Sequence, residues 1–118
     1  MNHQLVKEMA QILYDKKAQN IVALDVTGLT VITDCMLIAS GRNTLQVRTL
    51  AEDLQQRMGE KGLDPIRREG QQDGHWVVLD YGDVLVHIFH TEDREFYRLD
   101  KLWENENNRV ALPFEEEA

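Results

Sequence analysis

Cysteine is nearly missing from this chain: Cys35 is the only one in 118 residues. A lone thiol cannot build a disulfide framework within one chain, so the small disulfide-stapled folds are excluded. No apolar run approaches the roughly 20 residues that a membrane-spanning helix requires. The start, Met1-Asn2-His3-Gln4, has neither the basic nor the apolar region of a secretory signal. The expected compartment is therefore the cytoplasm. Basic residues are in deficit as well. Lys and Arg number 13 against 21 Asp and Glu, a formal net charge of -8. That balance repels phosphate backbones and anionic membranes, so neither sequence-specific nucleic-acid binding nor a membrane surface is expected. It complements a basic partner protein, although an acidic surface also serves solubility alone.

The usual signatures of catalysis are missing too. No G-x-x-x-x-G-K-[ST] phosphate loop occurs. A small nucleotidyltransferase needs a Gly-Ser loop and two carboxylates at i and i+2 on one strand, to hold metal and phosphate. Here Gly41 is followed by Arg42, and no D-x-D lies downstream. Asp80 and Asp83 straddle a turn, where acids commonly serve the turn itself. His75, His87 and His90 are the only histidines beyond His3, and no closely spaced ligand pairs appear, so no metal is expected. Cys35 opens an apolar run, which suits a buried, inert thiol. Arg67-Arg68 is an isolated basic pair, too small for a nucleic-acid track. No catalytic residue and no cofactor is expected.

What is present reads as one α/β (α+β) domain. At 42% hydrophobic residues the chain can bury a core without a staple. Leu5, Val6, Met9, Ile12 and Leu13 recur at helical spacing, predicting a helix from His3 to about Lys16. Ile21–Leu24 and Met36–Ala39 are short apolar runs that predict buried strands. Asn43, with Gln46 three residues on, caps a helix carrying Val47, Leu50, Ala51, Leu54 and Met58. Gly59, Gly62 and Asp64-Pro65 end it. Residues 66–69 form a weak strand. The run from Trp76 to Phe89 predicts a hairpin about Gly82. A last helix begins near Thr91 as N-cap and runs to about Trp103. The whole predicts a single mixed β-sheet of about five strands with about three helices. The domain spans 1–104, and 105–118 reads as a polar, acidic, mobile tail ending Glu115-Glu116-Glu117.

Strand alternation divides the hairpin into two faces. One carries Val77, Leu79, Tyr81, Val84, Val86 and Ile88 and should pack on helices. The other carries Trp76, Val78, Asp80, Leu85, His87 and Phe89, aromatic and apolar with one acid and one imidazole. That second face is either an inner layer covered by a helix or an uncovered surface for a partner. In the latter reading Trp76 and Phe89 are the apolar anchors, and Asp80 and His87 supply polar fit.

Three runs stand out: Asp34-Cys35-Met36-Leu37-Ile38-Ala39-Ser40-Gly41, the W-V-x-x-D-x-G-D-x-x-V-H run from Trp76 to His87, and Tyr97 with Leu102-Trp103 in the closing helix. Together they resemble the ribosomal silencing factor family, RsfS/Iojap. The resemblance covers about residues 3–104. It implies a fold similar to nucleotidyltransferases without their catalytic carboxylates. It implies binding to the large ribosomal subunit, chiefly to its protein L-fourteen on the surface facing the small subunit. Bound there, such proteins block subunit joining and restrain translation when nutrients are short. Homodimers are also implied. Tyr97, Asp100 and Trp103 then extend the docking patch. A large-subunit assembly factor and a divergent nucleotidyltransferase are the alternatives.

Overall fold

The computed structural model describes residues 3–117. The chain runs α1 (Gln4–Asp15), β1 (Gln19–Asp25), β2 (Cys35–Gly41), α2 (Thr44–Glu60), β3 (Arg67–Glu69), β4 (Trp76–Asp80), β5 (Val84–His90), α3 (Thr91–Tyr97) and α4 (Leu99–Trp103), closing on a 3-10 turn at Pro113–Glu117. The sheet has five strands in the order β1-β2-β5-β4-β3. Only β2 and β5 pair in parallel; the other pairs are antiparallel. The expected mixed sheet is therefore what forms.

The local signals act as expected. Val6, Met9, Ala10 and Leu13 recur every three or four residues, so α1 buries one stripe. The Asn43 side chain accepts from the Gln46 amide at 2.7 Å, and Gln46 Oε1 accepts from the Arg42 amide at 2.6 Å. The first bond satisfies an amide that the helix start leaves open, and the second ties the Gln46 side chain back to the residue before the cap. β2 is buried along its whole length because α1 and α2 cover one face and the chain covers the other. Cys35 lies in that strand, and burial pushes its thiol up to about 11, so it is inert at neutral pH.

Two apolar layers flank the sheet. The inner one joins α1 and α2 to Ala23, Leu37, Ala39, Val77, Leu79, Val86 and Ile88. The outer one holds Val22, Leu24, Met36, Ile38, Leu85 and Phe89, with Trp76, Val78, Leu99 and Trp103 packed against it. The hairpin register, Trp76↔Phe89, Val78↔His87 and Asp80↔Leu85, divides the faces as alternation predicted. The chain turns at Gly82, whose φ of +85° suits glycine.

Two expectations need correction. The last helix is not continuous. Arg98 takes a left-handed conformation, φ +50°, and divides it into α3 and α4, which lets α4 lie back over the outer layer. Thr91 is not its cap but its first residue; its hydroxyl donates instead to the Gly41 carbonyl at 3.0 Å. Nor do the described residues of the expected tail, 105–117, stand apart; residue 118 lies outside the described residues. Through residue 117 the chain wraps the β1 edge as a strap. The Asp25 amide donates to Asn108 O at 2.7 Å and the Val110 amide to Ala23 O at 2.8 Å. Val110 and Leu112 enter the inner core, and Phe114 stacks on Tyr14 with ring centroids 4.2 Å apart. Two buried aliphatic side chains and a paired sheet edge hold what a count of polar residues reads as a tail.

Candidate protein-binding site

The outer face is built from the start of β4. Trp76 lies opposite Phe89, so their rings stack at 4.9 Å. Tyr97, from the last turn of α3, comes down on the same indole at 4.9 Å. Phe96 meets Tyr97 edge to face at 5.0 Å. These separations lie in the favourable range for aromatic pairs. The layers differ in depth. Phe89 is fully buried, Trp76 is half-buried, and Tyr97 and Phe96 are 52% and 79% exposed. Leu102, on α4, is 74% exposed. The result is an apolar ridge standing on its own packed floor.

His87 sits beneath Trp76. The indole Nε1 donates to His87 Nδ1 at 3.1 Å. An indole nitrogen can only donate, so Nδ1 is the bare nitrogen and Nε2 carries the proton. Nε2 is buried without a hydrogen-bond partner. Burial lowers the imidazole to about 4, so the ring is neutral at physiological pH. A neutral ring is required, because a protonated Nδ1 could not accept from Trp76.

Of the expected site residues, Trp76, His87, Phe89 and Tyr97 come together in one stack. Phe89 and His87 form its floor and not its surface. Trp103 packs on the outer layer from α4. Asp80 does not join them. It lies at the other end of β4, where Oδ1 accepts from the Gly82 amide at 2.9 Å and Oδ2 meets Arg67 at 3.3 Å. It serves the turn. Asp100 faces inward to Arg94 Nε at 3.5 Å.

Arg94 was not singled out from the sequence. Its guanidinium is buried and donates to Ser40 Oγ at 3.0 Å, so it ties α3 to β2 while Asp100 ties α4 to it. Desolvation lowers its pKa, opposed by Asp100. The available signal was a basic residue on the inward side of a helix start, four residues before the break at Arg98. Phe96 and Leu102 were not singled out either; both are exposed, one on each side of the break at Arg98. The histidines come closer in space than in sequence. Close spacing along the chain is lacking, yet strand pairing sets His75 beside His90, and α3 adds Asp93 to them.

These features define a small α/β protein with an exposed aromatic ridge. The carboxylate pair of a nucleotidyltransferase does not form at Asp80 and Asp83, since Asp80 is held in the turn. The chain matches, over residues 1–118, the family model described as ribosomal silencing factor during starvation, RsfS. It is 39% identical over 102 residues to ribosomal silencing factor RsfS of Halalkalibacterium halodurans, covering 86% of this chain and 87% of that one. The Bacillus subtilis protein of the same name is 37% identical over 99 residues, 84% of each chain. A crystal structure of a Bacillus halodurans protein superimposes with a TM-score of 0.82 at 37% identity, covering 94% of this chain and all of that one. The chain belongs to the RsfS family of ribosomal silencing factors.

Proposed function

We propose that this protein silences ribosomes by steric exclusion. It docks its outer ridge on the large ribosomal subunit, through protein L-fourteen, and occupies space that the small subunit needs. The observation that carries this reading is the ridge itself, with Trp76, Tyr97 and Phe96 stacked above a closed core, and Leu102 exposed on α4. An exposed apolar patch on a protein of this size marks a partner surface. Trp and Tyr are favoured anchors because they bury much area at little entropic cost. The family name of the relatives supplies the ribosome as partner. A standard interface buries about 800 Å² per partner, enough to displace a competitor without chemistry. The net charge of -8 raises the encounter rate with a basic ribosomal protein. Among the described residues no helix is long and apolar enough to cross a membrane, and the site of action is the cytoplasm, where the subunits are.

Calorimetry with purified L-fourteen tests the contact. Trp76→Ala should weaken binding by about 2 kcal/mol, or some 30-fold, with circular dichroism unchanged. Leu102→Glu should weaken it comparably without touching the floor. Parental affinity in both folded variants would remove the ridge from the interface. A second copy of the chain competing for the same ridge would appear as a dimer that L-fourteen dissociates.

A further inference from the structure

Beside the ridge, metal-ligand atoms converge that the docking reading leaves unused. His75 directly precedes β4 and His90 ends β5. The sheet sets them side by side, with the His90 amide donating to the His75 carbonyl at 2.8 Å. Asp93 follows in the first turn of α3, on the His90 side because residues i and i+3 share a helical face. Its Oδ2 lies 2.8 Å from His75 Nδ1 and 3.6 Å from His90 Nδ1. One ligand atom from each residue falls within 4.8 Å of the other two. The imidazoles stand edge to face, 5.7 Å apart at 87°.

The unsatisfied atom is His90 Nδ1. It is buried and lacks a hydrogen-bond partner, with the Asp93 carboxylate just beyond bonding reach. A buried polar atom left in this way is costly and calls for an explanation. The pairing of His75 with Asp93 accounts for those two groups and leaves His90 out.

We propose that His75, His90 and Asp93 form a binding site for a divalent ion of the zinc class. Two imidazoles and a carboxylate are a recognised three-ligand set for zinc, with a water completing the tetrahedron. Calcium and magnesium prefer all-oxygen shells and are disfavoured by the two nitrogens. Metal–ligand bonds of about 2.0–2.2 Å hold neighbouring ligand atoms roughly 3.3–3.5 Å apart in a tetrahedron. The two separations to Asp93, 2.8 and 3.6 Å, bracket that value, and all three ligand atoms lie within 4.8 Å of one another, so side-chain rotation is what closes the site. The three residues sit at a strand start, a strand end and a helix start, so the backbone need not move. The ion displaces the proton shared by His75 Nδ1 and Asp93 Oδ2, and it satisfies His90 Nδ1. It ties the first turn of α3 to the hairpin. Since Tyr97 closes α3 and Trp76 follows His75, the ion braces the aromatic stack from one side. The role is structural, and it stands whether or not the ridge binds L-fourteen.

The test uses the full chain after dialysis against a chelator. ZnCl2 is titrated by calorimetry near neutral pH, and CoCl2 by visible absorption. His75→Ala, His90→Gln and Asp93→Asn are compared with His3→Gln, whose imidazole pairs with Asp25. Circular dichroism checks each fold. We expect one saturable zinc site, weakened at least about tenfold in each of the three variants and unchanged in His3→Gln. Cobalt should give the visible bands of a low-symmetry four-coordinate site, lost in His90→Gln. No saturable binding below about millimolar zinc, or binding indifferent to both His75→Ala and His90→Gln, overturns the site.

Discussion

His87 is 5% exposed and receives one hydrogen bond, from the Trp76 indole. Its folded value of about 4 lies below the ordinary 6.5, with burial as the cause. Between those values the unfolded chain binds the proton and the folded chain does not, so stability rises with pH across the window. Conversely, it is lost as pH falls from about 6.5 toward about 4. The protein should be about 2 kcal/mol less stable at pH 5 than at pH 7 through this group alone. Urea unfolding at both pH values measures the difference. His87→Gln, which can still accept from the indole, should remove most of it. An equal pH slope in parent and variant would show that the ring does not titrate on unfolding. Sequence reasoning named His87 as a candidate because of its face. It could not separate floor from surface, since depth depends on where α4 lies.

α3 and α4 depend on Arg94 more than on their own length. Helices this short are marginal alone, and α4 has no fully buried residue. Arg94→Ala removes the bond to Ser40 and the ion pair with Asp100, and it leaves a buried hydroxyl unpaired. The expected cost is about 1–3 kcal/mol. Amide hydrogen exchange should accelerate in α4 ahead of β5. Uniform acceleration across the sheet would mean that Arg94 supports the core and not the cover. Lysine should not restore the parent, because it lacks the planar fork that meets both partners. The strap makes a parallel case. Leu112 is 2% exposed. Leu112→Ala should cost about 2–5 kcal/mol, measured as a lower urea midpoint, whereas a detached tail would show no change.

The strands, α1 and α2 were legible because one period governs each of them. Val6, Met9, Ala10 and Leu13 fit only a helix, and the odd and even positions from Trp76 to Phe89 part cleanly into two faces. The break at Arg98 carried no glycine or proline to announce it. The strap from Asn105 onward is held by backbone pairing to β1, which side-chain character does not report.

At the scale of the molecule, two layers close a five-stranded sheet and leave the aromatic ridge of Phe96 and Tyr97 in the open. Nearly all of the outer face is therefore core, and only its crest is exposed. A docking protein needs this division, because the floor fixes the anchors before binding and lowers the entropy lost on association. The family membership and the ridge meet in one claim, that occupation of the large subunit through this ridge prevents subunit joining. Sedimentation of purified ribosomal subunits through sucrose gradients tests it most directly, with the parent protein or Trp76→Ala added before joining. The account predicts that the parent abolishes the joined peak and travels with the large subunit, while the folded Trp76→Ala variant does neither at the same concentration. Normal joining in the presence of the parent, or equal inhibition by both proteins, would contradict it.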